Sequence, residues 1–492
     1  MHESPTPRSE TPRARTLRDL REGGHTYRTV KAEIRENLLA RLRSGVPRFP
    51  GIVGFDETVL PHLERALLAG HDLVLLGERG QGKTRLIRTV TGLLDEWTPV
   101  VDGCEINDHP YAPACVRCVR LAGELGDDLP IAWKHRDDRY GEKLATPDTS
   151  VGDLIGDVDP IKIAEGRTLG DPETVHYGLV PRTNRGVFSV NELPDLAERI
   201  QVSLLNVLEE RDIQVRGYNL RLPLDVLLIA SANPEDYTNR GRIITPLKDR
   251  FGAEIRTHYP LTLDDELSLI RQEATLAWGA LDSAGGPAAG TGDQAGLSAE
   301  LPEHIIEIIA RFTRLVREST AVDSRSGVSA RFSIAAAETA AASAVRRAAL
   351  TGEERPVTRV ADLPGAVPTL RGKVEFEVSE EGREVEVLAH LLRRAVAETF
   401  RRTLGGMDLS ALLDKFTEGT QISSGELTTA TELLRQIGPV NGLSKIMSQV
   451  GMGEGDESPG HAAAALEFAL EGLYLMRRLS KDETEAGAVY RT

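Results

Sequence analysis

The run Gly77-Glu78-Arg79-Gly80-Gln81-Gly82-Lys83-Thr84 has the spacing G-x-x-x-x-G-K-[ST]. It follows an apolar tetrapeptide, Leu73–Leu76, and leads into a helix-like run from Arg85 to Leu94. Phosphate binding needs this order. Glycines let backbone N–H groups turn inward around an anion, and a following helix adds partial positive charge at its N-terminus. Lys83 would reach the β- and γ-phosphates of a nucleoside triphosphate, and Thr84 would ligate Mg²⁺.

Hydrolysis at such a site also needs an acid near the metal and a group that orients water. A second apolar run, Gly186 to Val190, ends in Asn191-Glu192. Glu192 can polarise an attacking water. Asn191 stands where an aspartate is usual, and it can accept a hydrogen bond from a metal-bound water while bringing no charge. Two outcomes follow from that substitution: slower turnover, or nucleotide binding with little turnover. A third run, Val226–Ala230, ends in Ser231-Ala232-Asn233-Pro234, and the Asn233 amide is placed to position water against the γ-phosphate. Arg250, in Thr245-Pro246-Leu247-Lys248-Asp249-Arg250-Phe251, suits a finger that serves a neighbour's γ-phosphate. Arg331 opens an Ala-rich helix, where positive charge is electrostatically awkward unless a phosphate partners it.

The chain's three cysteines fall within fifteen residues. Cys104, His109, Cys115 and Cys118 read C-x₄-H-x₅-C-x₂-C, a spacing that would close a tetrahedral structural Zn²⁺ site, with His135 as a competing fourth ligand. Three free thiols are the alternative.

The elements that must carry these residues follow from patterning. Residues 1–15 are Pro, Ser, Thr and Arg with almost nothing apolar, and are expected to be disordered. A helix is expected over 16–48. Over 49–260 short apolar runs alternate with amphipathic stretches, which predicts an α/β domain with a parallel sheet covered by helices. Residues 261–350 are expected to form a helical lid, broken by a Gly/Ala-rich loop at 279–299. Residues 351–492 begin with a proline-punctuated extended connector (351–372) and continue as a mainly helical region.

The charge sum of −16, from 59 Lys and Arg against 75 Asp and Glu, excludes a uniformly basic nucleic-acid coat. Aromatics at 4% are too few for a base-stacking surface, so no nucleic acid is expected. No apolar run is long enough to span a membrane. Three cysteines make no disulfide framework, so a reduced, cytoplasmic protein is expected.

The order phosphate loop, apolar strand with Asn-Glu, Ser-Ala-Asn-Pro, Asp-Arg-Phe and Ser-Ala-Arg resembles the AAA+ ATPases over residues 49–350. More narrowly it looks like the ATPase subunit of magnesium chelatase and its MoxR-like relatives. Phe49-Pro50-Gly51-Ile52-Val53-Gly54, Thr146–Pro160 and Tyr177-Gly178-Leu179-Val180 are the supporting segments. The resemblance implies a P-loop NTPase core with ATP and Mg²⁺ at Gly77–Thr84. It makes Asn191-Glu192 the Walker B position, Asn233 sensor 1, Arg250 the arginine finger and Arg331 sensor 2. It also implies a hexamer-like homo-oligomeric ring with ATP between subunits, and a partner bearing a von Willebrand factor A domain. The functions it implies are remodelling or activation of a partner protein, with magnesium insertion into protoporphyrin as an alternative. A polymerase-remodelling activator is discounted, because no G-A-F-T-G-A run lies between Lys83 and Asn191.

Overall fold

The computed structural model describes residues 8–491 except 160, 162–163, 165–173, 214–221, 235–241, 277–296, 324–326, 418, 453–457 and 485–486. The chain divides into two compact units, one reaching to His258 and one running from Tyr259 onward.

The first unit opens with two helices, α1 (Leu17–Glu22) and α2 (Val30–Ser44). The single helix expected over 16–48 is therefore broken, and Gly23-Gly24 is the break, with Gly24 left-handed at φ 69°. Residues 8–15 are not loose, correcting the expectation for that part of the tail. The Trp133 indole donates to Ala14 O at 2.9 Å, and the Ile131 amide donates to Arg15 O at 2.9 Å. Residues 1–7 lie outside the described residues.

Helix α3 (Val59–Leu68) leads to β1 (Leu73–Leu76), and α4 (Lys83–Val90) follows the glycine-rich loop. Next come β2 (Trp97–Val101), α5 (Val116–Leu125), β3 (Ile131–His135), β4 (Tyr140–Leu144), β5 (Gly186–Asn191), α6 (Glu198–Glu209), β6 (Val226–Ala232), α7 (Thr245–Arg250) and β7 (Ala253–Arg256). Five strands form one sheet in the order β7-β1-β6-β5-β4, and every pairing is parallel. Strands β2 and β3 make a separate antiparallel pair.

Burial on both faces explains why these strands read as unbroken apolar runs. Leu73, Leu75, Leu227, Ile229 and Val187 pack with α2, α3 and α4 on one side. Val74, Leu76, Leu228, Ala230, Phe188 and Val190 pack with α6 and α7 on the other. The alternation is the period of two of a pleated strand. Helix α2 is part of this core through Val30, Ile34 and Leu38, and its Glu33 carboxylate meets the buried Arg139 guanidinium at 2.7 Å on both oxygens.

The second unit contains α8 (Leu263–Glu273), α9 (Glu303–Arg317), α10 (Ala330–Thr351), α11 (Glu384–Thr403), α12 (Ser410–Thr417), α13 (Ala430–Ile437), α14 (Leu443–Gln449) and α15 (Pro459–Leu475). One core runs from Leu267 through Phe312, Phe332, Leu388, Phe400 and Phe468 to Tyr490. Residues 261–350 and the C-terminal region thus share their hydrophobic interior. Residues 351–372 are not an extended connector. Short helical turns occupy 360–373, and Pro364 and Pro368 sit in their first positions, where the missing N–H costs nothing. Strands β8 (Ile422–Ser424), β9 (Ser480–Thr484) and β10 (Gly487–Arg491) form an antiparallel sheet within this mainly helical region. The loop expected at 279–299 lies almost wholly outside the described residues. Among the described residues no helix is long and apolar enough to cross a membrane.

Candidate functional site

Parallel strands end together, so the loops after β1, β5 and β6 share one end of the sheet. The glycine-rich loop follows β1. Gly80 and Gly82 are left-handed, both at φ 73°, the backbone freedom that an anion-cradling turn requires. Gly82 is the N-cap of α4, and Thr84 stands half-buried in its first turn.

The Lys83 ammonium is buried inside the loop. It donates to Gly77 O, to Glu78 O at 2.9 Å, and to Asn233 Oδ1 at 2.8 Å. The Asn233 amide donates in turn to Glu192 Oε2 at 3.1 Å. Glu192 holds a left-handed backbone, φ 56°, uncommon for a non-glycine residue and a kind of strain found at functional sites. Asn191 is buried beside it. Its Oδ1 accepts from Ser231 Oγ at 3.2 Å and Ser189 Oγ at 3.4 Å. Lys83, Asn233 and Glu192 are thus joined by one chain of hydrogen bonds, and Asn191 connects to it through the Ser231 hydroxyl, which also accepts from the Glu192 amide at 3.3 Å.

Two members of this site escaped sequence reasoning. Glu142 on β4 accepts from Asn191 Nδ2 at 2.6 Å, and also from Tyr140 OH at 3.0 Å and Arg88 Nη2 at 2.8 Å. Glu142 opposes Ser189 in the β4–β5 register, so a carboxylate stands beside the uncharged Asn191. Thr257, just past β7, donates to Gln81 Oε1 at 2.7 Å, and the same oxygen accepts from the Glu78 amide at 3.1 Å. A Cβ on Gly77 would collide with Thr257 Oγ1 and Gln81 Oε1, so glycine is required there. Only strand pairing reveals either residue.

The donor chemistry fits a nucleotide triphosphate and its magnesium ion. Left-handed glycines, a helix N-terminus and a buried ammonium face a carboxylate–amide pair with a threonine hydroxyl between them in sequence order.

Among the described residues, Arg250 is not part of this chain of hydrogen bonds. Arg250, at the end of α7, makes a two-pronged pair with Glu209 of α6, at 3.1 Å for both Nε and Nη2. Arg331 belongs to the second unit, exposed in the first turn of α10, whose N-cap Ser329 accepts from the Arg331 amide at 3.1 Å.

The cysteine cluster forms, with one correction. Cys104, Cys115 and Cys118 come together with Asp108, not with His109. Asp108 and His109 are adjacent in a turning loop that sends their side chains to different partners: the Asp108 carboxylate accepts from the Ala114 and Cys115 amides, whereas His109 Nδ1 accepts from the Tyr111 amide at 3.0 Å. The His109 ring instead stacks on His25 at 5.4 Å between centroids, with the two Nε2 atoms 3.2 Å apart. Burial first, then Arg185 and His25, press the His109 pKa down to about 2. His135 is also elsewhere, its Nδ1 3.1 Å from Asp137 Oδ2.

A model of the sigma-54 interaction domain matches residues 167–250, which hold Asn191, Glu192, Asn233 and Arg250 but not the glycine-rich loop. The magnesium-chelatase 38 kDa subunit of Acidiphilium rubrum is 30% identical over 241 residues, 46% of this chain and 62% of that one. The magnesium-chelatase subunit ChlI of Guillardia theta is 30% identical over 222 residues, 42% of this chain and 57% of its own. The chain therefore spans less than two thirds of the length of these curated relatives. A solved BchI–BchD complex of magnesium chelatase matches at 17% identity over 86% of this chain and 94% of that one, with a TM-score of 0.34.

Proposed function

We propose that this chain, which resembles the AAA+ ATPases and among them the ATPase subunit of magnesium chelatase, couples ATP binding and hydrolysis in an oligomeric ring to remodelling or activation of a partner protein. The observation that carries this reading is the chain of hydrogen bonds from Lys83 through Asn233 to Glu192, beside Asn191, at the ends of β1, β5 and β6.

In this reading the N–H groups of Gly77–Thr84 and the Lys83 ammonium hold the β- and γ-phosphates of ATP. Thr84 and Asn191 would hold Mg²⁺, which when bound neutralises the phosphate charge. Glu192 takes the proton of the attacking water and Asn233 fixes where that water stands. Arg250 leaves Glu209 to serve the γ-phosphate of a neighbouring subunit, and Arg331 contacts nucleotide from the lid. ATP is thereby shared between copies of the chain.

The partner carries a von Willebrand factor A domain, as members of this class typically do, and the protein works in the reducing cytoplasm. Magnesium insertion into protoporphyrin is the narrower alternative, and it requires a porphyrin-binding partner. ATP binding with little turnover is the other, and it rests on Asn191 in place of aspartate. The sigma-54 interaction match favours a further reading, action on a sigma factor, although the chain has no G-A-F-T-G-A run between Lys83 and Asn191. Pull-down with sigma-54 polymerase against a von Willebrand A domain protein separates these.

Lys83→Ala decides the core of the proposal. ATP affinity measured by calorimetry should fall at least about tenfold, ~1.4 kcal/mol. Unchanged affinity would place nucleotide elsewhere or nowhere.

A further inference from the structure

Cys104 lies just after β2, Asp108 four residues on, and Cys115 and Cys118 are the N-cap and first turn of α5. All three cysteines are free, and their Sγ atoms lie with one Asp108 oxygen within 4.8 Å of one another. A tetrahedron of ligands 2.3 Å from zinc has edges of about 3.8 Å, so one ion fits within that spread. The backbone is arranged for thiolates. The Asp108 amide donates to Cys104 Sγ and the Cys118 amide to Cys115 Sγ, both at 3.3 Å, and Arg117 Nη1 lies 3.9 Å from Cys118 Sγ.

Asp108 supplies a second, independent observation. Its Oδ2 is fixed by the amides of Ala114 (3.0 Å) and Cys115 (2.8 Å). Its Oδ1 is buried and has no hydrogen-bond partner among the described residues, on a side chain 1% exposed. A buried carboxylate oxygen left unpaired costs free energy unless something binds it.

We propose that Cys104, Asp108, Cys115 and Cys118 bind one structural Zn²⁺. Four protein ligands close the coordination shell and leave no position for chemistry. Each thiol that enters as thiolate releases its proton to solvent. The ion fastens the loop between β2 and α5 to the start of α5. That loop is tied onward to the approach to β5. Asn107 Nδ2 donates to Arg182 O at 2.7 Å and to Asn184 O at 3.2 Å, and Asn184 Nδ2 donates to Ile106 O at 3.0 Å. The metal therefore braces the segment that delivers Asn191 and Glu192.

The test uses the full-length protein purified under reducing conditions without chelator. Elemental analysis should find close to one zinc per chain. After exchange with Co²⁺, the visible spectrum should show the intense ligand-field bands of a tetrahedral ion and near-ultraviolet thiolate-to-cobalt charge transfer. His109→Ala should keep both signals, whereas Asp108→Asn should weaken metal affinity by about tenfold or more. Cys115→Ser, which leaves two thiolates, should lower the charge-transfer intensity in proportion, and the wild-type spectrum stands independently of whether that variant folds. No zinc and no tetrahedral Co²⁺ spectrum in wild type would overturn the site. So would a Cys–Cys disulfide in the protein as isolated. Loss of metal in His109→Ala with retention in Asp108→Asn would overturn the ligand set.

Discussion

The Asn191 amide stands between two serine hydroxyls, which donate to its Oδ1, and the Glu142 carboxylate, which accepts from its Nδ2. Read alone, Asn191 is a missing negative charge. In the fold its amide donates to Glu142 Oε1 at 2.6 Å, so a carboxylate already stands beside it on the neighbouring strand. The obvious repair, Asn191→Asp, would remove that donor and set two carboxylates against each other. We expect Asn191→Asp to lose about 1.5–3 kcal/mol of unfolding free energy in magnesium-free buffer, the scale of a broken hydrogen bond to a charged group. Asn191→Asp combined with Glu142→Gln should recover most of it. Urea titrations of the four proteins form the cycle, and equal stability of wild type and Asn191→Asp would refute the pairing. Glu142 was invisible in the sequence because its role depends on the β4–β5 register. The members of the cysteine cluster were mostly legible, since three closely spaced cysteines are a local signal. The fourth was misassigned because a side chain's direction is not a matter of spacing.

At the scale of elements, helix α9 makes a pH-dependent contribution. His304 in its first turn is buried, with its ring 5.0 Å from that of Phe468 and neither ring nitrogen hydrogen-bonded among the described residues. Burial, reinforced by His461, pushes its pKa from 6.5 down to about 3. The unfolded chain therefore binds a proton that the native chain refuses. The stability this residue confers is complete above pH 6.5 and is lost as pH falls toward 3, at about 1.4 kcal/mol per unit. Replacing it by His304→Leu should flatten the decline between pH 7.5 and 5.5 by about 1 kcal/mol in urea unfolding. A variant with the wild-type slope would show that other groups control the acid limb. The strands of the first unit were legible because full burial makes them continuous apolar runs. The sheet of β8, β9 and β10 was not: β9 is polar and largely exposed, β10 buries only Tyr490 fully, and pairing makes them strands.

Across the whole molecule, the proposed ring has a consequence that no single chain can show. Arg250 now pairs with Glu209 and is held away from the Lys83 chain of hydrogen bonds. If it serves a neighbour's ATP, turnover per chain should rise with protein concentration. Arg250→Ala should lower kcat by about 10³-fold. Mixing Arg250→Ala with Glu192→Gln, each inactive alone, should restore part of the activity, because some interfaces then combine an intact glutamate with an intact arginine. Activity independent of concentration and no restoration on mixing would leave Arg250 as a surface ion pair.

The sequence by itself determined the glycine-rich loop, the parallel α/β core and the order of polar residues after its strands. Those are local signals: glycine spacing, unbroken apolar runs and the residues that end them. The tertiary structure decided which side chains meet. Glu142 beside Asn191, Thr257 beneath Gln81, and Asp108 rather than His109 among the thiols depend on strand register and on which way a side chain faces. Those are set when separated segments pack, and no spacing within one segment carries them.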